Sequence, residues 1–301
     1  MNSEAPVRPE LTDLVVGIDG SPCSRTAALW AAAEACRRSR PLHLVHAADT
    51  DRRAYWSDAE TMQALRAAGR DLLAETANAV GERFPNLIVT RQLDRQGPVA
   101  GLRAAAGDRK TIVVGSRGIG GFSALMLGSV GLAVAARAEV PVIVVRGEPE
   151  RPGTGRVTAA VRDADDLEWL LLAAAEANVR KVPLHMVSVW NVLAHIGVMA
   201  TMLDGPGPPT RRLGREVRTL ADRMREWYPD LTVDEQVETG TSTPGVLVEA
   251  SARSNLVVMG RSRRPLGAGP ALGRVAHALV HHAHCPVEIV PRGFGDRGGN
   301  L

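Results

Sequence analysis

Thr111-Ile112-Val113-Val114-Gly115-Ser116-Arg117-Gly118-Ile119-Gly120-Gly121-Phe122, running on through residues 123–127 to Gly128-Ser129-Val130, reads as a strand, a glycine-rich turn and the start of a helix. Apolar, mostly β-branched residues over Thr111–Gly115 suit a strand buried on both faces. The glycines that follow let the chain turn through positive φ and let another group approach the main chain closely. The segment Val130–Ala138 then reads as a helix, and Val142–Val145 as the next strand. Two strands joined through a helix form a parallel, right-handed crossover.

Toward the N-terminus the same alternation continues. Leu14–Asp19, Leu42–Ala48 and Leu87–Leu93 read as strands, and Ser24–Arg38, Ala59–Arg83 and Val99–Ala106 as helices. Five strands separated by helices predict a doubly wound α/β domain with a parallel sheet covered on both faces.

The chain then repeats itself. Phe84-Pro85-Asn86-Leu87 is matched by Tyr228-Pro229-Asp230-Leu231. Ala31-Ala32-Ala33-Glu34-Ala35 is matched by Ala173-Ala174-Ala175-Glu176-Ala177, and Val140-Pro141-Val142 by Cys285-Pro286-Val287. The near-constant spacing predicts two tandem domains, 11–147 and 155–292. The Pro-, Gly- and charge-rich run Gly147–Gly153 marks the linker. Strands in the second half are predicted near 156–161, 184–189, 231–237, 255–259 and 287–290. The Val142–Val145 and Val287–Val290 edges can join the halves as an intramolecular pseudo-dimer, which protects both edges. A homodimer of whole chains is a further expectation.

The length of 301 residues fits two domains. Lys and Arg number 36 against 33 acidic residues, and the arginines are scattered, so nucleic acid is not an expected partner. No apolar run reaches membrane-spanning length. Residues 1–10 lack the apolar core of a signal peptide. Cys23, Cys36 and Cys285 share no metal or redox spacing. They read as reduced thiols of a cytoplasmic protein.

Ligands of open α/β sheets sit beyond the carboxyl ends of the strands. There the Gly115–Gly121 loop can present a concave row of main-chain N–H groups to an anion. Gly128-Ser129 opens a helix whose free N–H groups and dipole favour phosphate. The alternative is a tight turn and nothing more. The P-loop pattern is absent, and the dinucleotide fingerprint fails because Ser123 stands where its third glycine belongs.

The spacing Gly115-x2-Gly118-x9-Gly128-Ser129 resembles the ATP motif of universal stress proteins. Val15-Val16-Gly17-Ile18-Asp19-Gly20-Ser21, Leu44-Val45-His46-Ala47 and Ala138-Glu139-Val140-Pro141-Val142 resemble that family's first, second and last strands. The resemblance covers nearly the whole chain and implies a tandem, adenine nucleotide alpha hydrolase-like fold. It also implies ATP as ligand, carrying Mg2+ on its phosphates. It places Gly17 and Asp19 beside the adenosine, with Ala47 near the base. Gly115, Ser116, Arg117, Gly118, Ile119, Gly120 and Gly121 surround ribose and phosphates, and Gly128, Ser129 and Val130 meet the phosphates. Asp19 has a plainer alternative, a carboxylate offsetting a helix dipole.

The second half departs from the motif. Gly260 and Gly273 match Gly115 and Gly128, but Arg263 replaces Gly118 and Arg274 replaces Ser129. No acid occupies the Asp19 position within Val157–Val161. The first half is therefore expected to bind ATP and the second to serve as a partner or docking face. Phosphate held by the side chains of Arg261, Arg263 and Arg264 is an alternative. His277, His281, His282 and His284 beside Cys285 read as residues near a helix C-terminus rather than metal ligands. Trp30, Trp169 and Trp190 read as packing residues, and Tyr55 and Trp56 as a possible cover over the nucleotide. Three functions follow: a nucleotide-dependent regulator with a protein partner, a slow ATPase or phosphotransferase, and a scaffold that binds no nucleotide. A flavin-binding or adenylating relative of the same architecture ranks behind these, because the motif spacing fits the stress proteins without deviation.

Overall fold

The computed structural model describes residues 9–116, 128–146, 155–192, 208–261 and 272–294. The first half runs β1 (Leu14–Gly17), α1 (Pro22–Arg38), β2 (Leu42–Ala47), α2 (Thr50–Arg53), α3 (Ala59–Arg83), β3 (Val89–Asp94), α4 (Pro98–Ala106), β4 (Thr111–Gly115), α5 (Ser129–Arg137) and β5 (Val142–Val145). The second half runs β6 (Val157–Ala160), α6 (Leu167–Arg180), β7 (Leu184–Asn191), α7 (Pro208–Trp227), β8 (Val233–Gly240), α8 (Thr243–Ser251), β9 (Leu256–Gly260), α9 (Arg274–His282) and β10 (Val287–Val290).

All strands within a half are parallel, in the order β3-β2-β1-β4-β5 and its mirror image β10-β9-β6-β7-β8. The two sheets are continuous. β5 and β10 pair antiparallel, with Val144 opposite Val287, Ile143 opposite Glu288 and Val142 opposite Ile289. The expected joined edge is thus the middle of one ten-stranded mixed sheet.

The third strand of each half starts two residues later than its apolar pattern suggests. Leu87 N–H donates to Phe84 O at 3.0 Å, and Leu231 N–H donates to Tyr228 O at 2.9 Å. Each Leu therefore closes a turn and packs there, and its donor is not available to the sheet ladder. Helix starts follow local chemistry. Ser21 caps α1 by accepting from Ser24 N–H, with Pro22 at the first helical position. α2 escapes the sequence reading because a one-turn helix has too few residues to show a periodicity.

The two faces of the sheet are sealed differently. One apolar core runs across both halves beneath α4, α5, α8 and α9, and it includes Val144, Val114, Leu279, Val287 and Ile289. On the other face each half has its own core. Leu14, Val16, Leu44 and Ile143 pack under α1 and α3. Met186, Leu220, Met224 and Val258 pack under α6 and α7. Two arginines reinforce the seam reciprocally. Arg146 donates to Val280 O at 2.8 Å, at the end of α9, and Arg261 donates to Ala138 O at 2.6 Å, just past the end of α5. Each cation meets the carbonyls and negative dipole end of the other half's helix.

Candidate functional site

In the first half the strand order reverses between β1 and β4, which places the crevice at their carboxyl ends. Asp19 lies two residues past β1. Its Oδ1 accepts Ser21 N–H at 2.9 Å, while Oδ2 has no hydrogen bond among the described residues. The helix cap is Ser21, and Asp19 stands half-buried just before it. Ile18 N–H donates to Val45 O at 2.9 Å, and His46 Nδ1 lies 2.7 Å from Ile18 O. These two bonds fix the peptide before Asp19 against the end of β2, where Ala47 sits. Gly17 faces Leu102: a Cβ there would lie 3.1 Å from its Cδ1.

Gly115 ends β4 against the first turn of α1. A Cβ on it would stand 2.7 Å from both C and O of Cys23. Both partners are main chain in fixed elements, so the position admits glycine and little else. Gly115→Ala is expected to lower stability by about 1–3 kcal/mol, read as a lower urea midpoint with an unchanged m-value. An unaltered midpoint would mean that α1 and β4 do not meet in this way.

Ser116 follows, with its N–H donating to Val145 O at 3.2 Å. Its carbonyl accepts Gly128 N–H at 3.1 Å, so the loop leaves and returns at one point on the sheet edge. Arg117, Gly118, Ile119, Gly120 and Gly121 lie outside the described residues. Gly128 caps α5 with no side-chain bond to the first turn. Ser129 is exposed, and Val130 is half-buried behind it. No acidic side chain stands in that first turn, a composition that suits an anion at its N–H groups.

The second half keeps the frame and changes the groups on it. Val161 N–H donates to Val187 O at 2.8 Å, the same bond that Ile18 makes to Val45. The residue equivalent to Asp19 is therefore Arg162. Its Nη2 lies 2.7 Å from Oδ1 of Asp166, and Asp166 is fully buried. Arg261 N–H donates to Val290 O at 2.8 Å, as Ser116 does to Val145, so Arg261 replaces Ser116. With Arg274 at the start of α9, three described site positions have become arginine; Arg263 and Arg264 lie outside the described residues.

The equivalent glycines, Gly115 and Gly260, also meet different groups. A Cβ on Gly260 would clash with the indole of Trp169, so glycine is needed there for packing. Gly293 N–H donates to Glu168 at 2.9 Å, and Phe294 packs on both the shared core and the core under α6. The sequence marks the lost glycine motif, but only strand register reveals the exchange of Asp19 for Arg162.

Trp30 and Trp169 are buried packing residues, as expected. His281 and His282 end α9, and no group of three potential metal ligands occurs among the described residues. Tyr55 and Trp56 are 83 % and 88 % exposed, so the packing of the first half does not hold them in place. All three cysteines are free. Among the described residues no helix is long and apolar enough to cross a membrane.

Strand order and the shared β5–β10 edge together define a tandem doubly wound α/β protein. The universal stress protein family matches residues 11–146 and again 154–291. The universal stress protein Rv2624c of Mycobacterium tuberculosis is 31% identical over 301 residues, covering 94% of this chain and 98% of that protein. Rv2005c of the same species is 30% identical over 297 residues, covering 92% and 96%. In fold, a universal stress protein from Archaeoglobus fulgidus superposes with a TM-score of 0.68 at 16% identity, covering 93% of this chain and 96% of that one. This chain belongs to the universal stress protein family, in its tandem two-domain form.

Proposed function

We propose that this chain is an ATP-binding regulatory protein of the stress response, with one nucleotide site, in the first half. The observation that carries the reading is the loop closed by the Gly128–Ser116 hydrogen bond, with an Asp19 carboxylate oxygen that has no partner among the described residues. In this reading Gly17, Asp19 and Ala47 meet the adenosine. Residues 115–121 and 128–130 meet ribose and phosphates. Mg2+ rides on the phosphates. The arginine-bearing second half acts as partner and scaffold. Cytoplasmic residence with reduced thiols belongs to the same reading.

The test is titration of the whole chain with ATP and Mg2+, beside Gly118→Ala and Asp19→Ala. One ATP per chain is expected. Binding should weaken at least about tenfold in Gly118→Ala, because a Cβ there resists positive φ and holds the phosphates off the main chain. A ratio near two would sink the one-site reading. No binding at millimolar ATP would leave a scaffold that acts through protein contacts. Turnover that disappears with Asp19→Ala would instead make the protein an enzyme.

A further inference from the structure

The seam between the halves is apolar on one face of the sheet and ionic on the other. On the ionic face α1 and α6 cross the β5–β10 pair. Arg38 lies 3.1 Å from Glu34 of its own helix and 2.5 Å from Glu176 of α6. Arg180 lies 2.8 Å from Glu34 of α1 and also pairs with Glu176. None of these four side chains is more than 6 % exposed. Beneath them stands Glu288 of β10, wholly buried, and neither of its carboxyl oxygens has a hydrogen-bond partner among the described residues. Its neighbours across the strands are Ile143 of β5 and Val258 of β9, which cannot titrate. Arg37, half in solvent, serves Glu34 at 2.9 Å.

The charges do not balance inside. Three buried carboxyl groups face two buried guanidiniums, and both guanidiniums already serve Glu34 and Glu176. A buried carboxylate without a hydrogen bond costs more than the same group carrying a proton. We propose that Glu288 is a proton-binding site at the seam between the halves, protonated while they are locked together, so that loss of its proton loosens the contact of α1 with α6.

The electrostatics agree. Burial pushes the Glu288 carboxyl up to about 8, with the Glu176 charge adding to the effect and Arg38 and Arg180 opposing it. Glu34 goes the other way. Burial would raise it, but Arg180, Arg38 and Arg37 together hold it below its ordinary value. The two groups therefore act in different pH ranges. Glu34 contributes stability that disappears in acid, as pH falls through its lowered value. Glu288 binds its proton more tightly in the folded chain, so its contribution is complete below the ordinary carboxyl value of 4.5. That contribution declines as pH rises and is gone above about 8.

The experiment uses the whole chain as wild type, Glu288→Gln and Glu288→Ile, the last carrying the residue of the opposing strand. Infrared titration should show a buried, protonated carboxyl band at neutral pH in the wild type. The band should be lost on raising the pH past its transition and be missing from both variants. Urea unfolding should show the wild-type unfolding constant rising roughly a hundredfold more than that of Glu288→Gln between about pH 6 and about pH 9. Amide exchange in α1 and α6 should quicken over the same range in the wild type only. A wild type without such a band at neutral pH overturns the proposal, whatever the variants do. So does a Glu288→Gln protein that keeps the wild-type slope.

Discussion

Arg38→Met is expected to remove about 3–5 kcal/mol of stability, the cost of leaving a buried charge without its partner. Arg38 is the cation that reaches across the seam from α1, to Glu176, while holding Glu34 on its own helix. Burial opposes its charge, but Glu176 and Glu34 more than compensate and raise its affinity for the proton further. Without it, Arg180 is left to serve Glu34, Glu176 and Glu288 inside, with Arg37 reaching Glu34 from the surface. Thermal unfolding should drop by roughly 6–10 °C in a chain of this size. Arg38→Lys should recover only part of the loss, because an ammonium lacks the fork that serves two carboxylates at once. Replacing all five ionisable residues with apolar ones should restore most of the stability, since the pairs offset desolvation rather than exceed it. A loss below about 1 kcal/mol in Arg38→Met, the value of a surface pair, would show that water reaches the seam.

The second large effect concerns the halves expressed apart. Residues 9–146 alone should form a homodimer. The β5 edge, Val142–Val145, is fully buried in the whole chain, and an exposed strand of this kind seeks a partner. A second copy can supply one without conflict. Ile143 would face Ile143, and Glu34 of the other copy would take the place of Glu176 opposite Arg38. The resulting cluster holds equal numbers of acids and arginines.

Residues 155–294 cannot do the same. Register would bring Glu288 against Glu288, two buried acids with no added cation. Sedimentation should find the first half dimeric and the second mainly monomeric or aggregated. An equimolar mixture should form the mixed pair in preference to either. A first half that stays monomeric at micromolar concentration would refute this. So would a second half that dimerises as readily. The asymmetry gives Glu288 a second consequence: it directs the second half toward the first and away from its own kind.

Much of this protein is written locally. Thr111–Gly115 and Val142–Val145 coincide with the predicted strands because apolar β-branched runs state their own conformation. Ala59–Arg83 coincides with the predicted helix because 25 residues make a periodicity plain. The candidate loop was legible for a similar reason. Its glycines serve the backbone at fixed intervals, and spacing along a chain survives in the sequence. Leu87 and Leu231 were misleading because an apolar residue in a tight turn looks like one in a strand until its N–H is traced.

The amino-acid order by itself determined the duplication, the alternation of strand and helix, and the glycine spacing of the first half, since each depends on neighbours a few residues apart. Tertiary structure alone decided that Arg162 stands where Asp19 would, because equivalence there rests on a hydrogen bond between strands. It alone set the Trp169 indole against Gly260 at the end of β9. It also brought Glu34, Arg38, Glu176, Arg180 and Glu288 to one seam from opposite ends of the chain. The charge balance of a buried cluster is a property of positions in space, set by the antiparallel meeting of β5 and β10, and no local pattern encodes it.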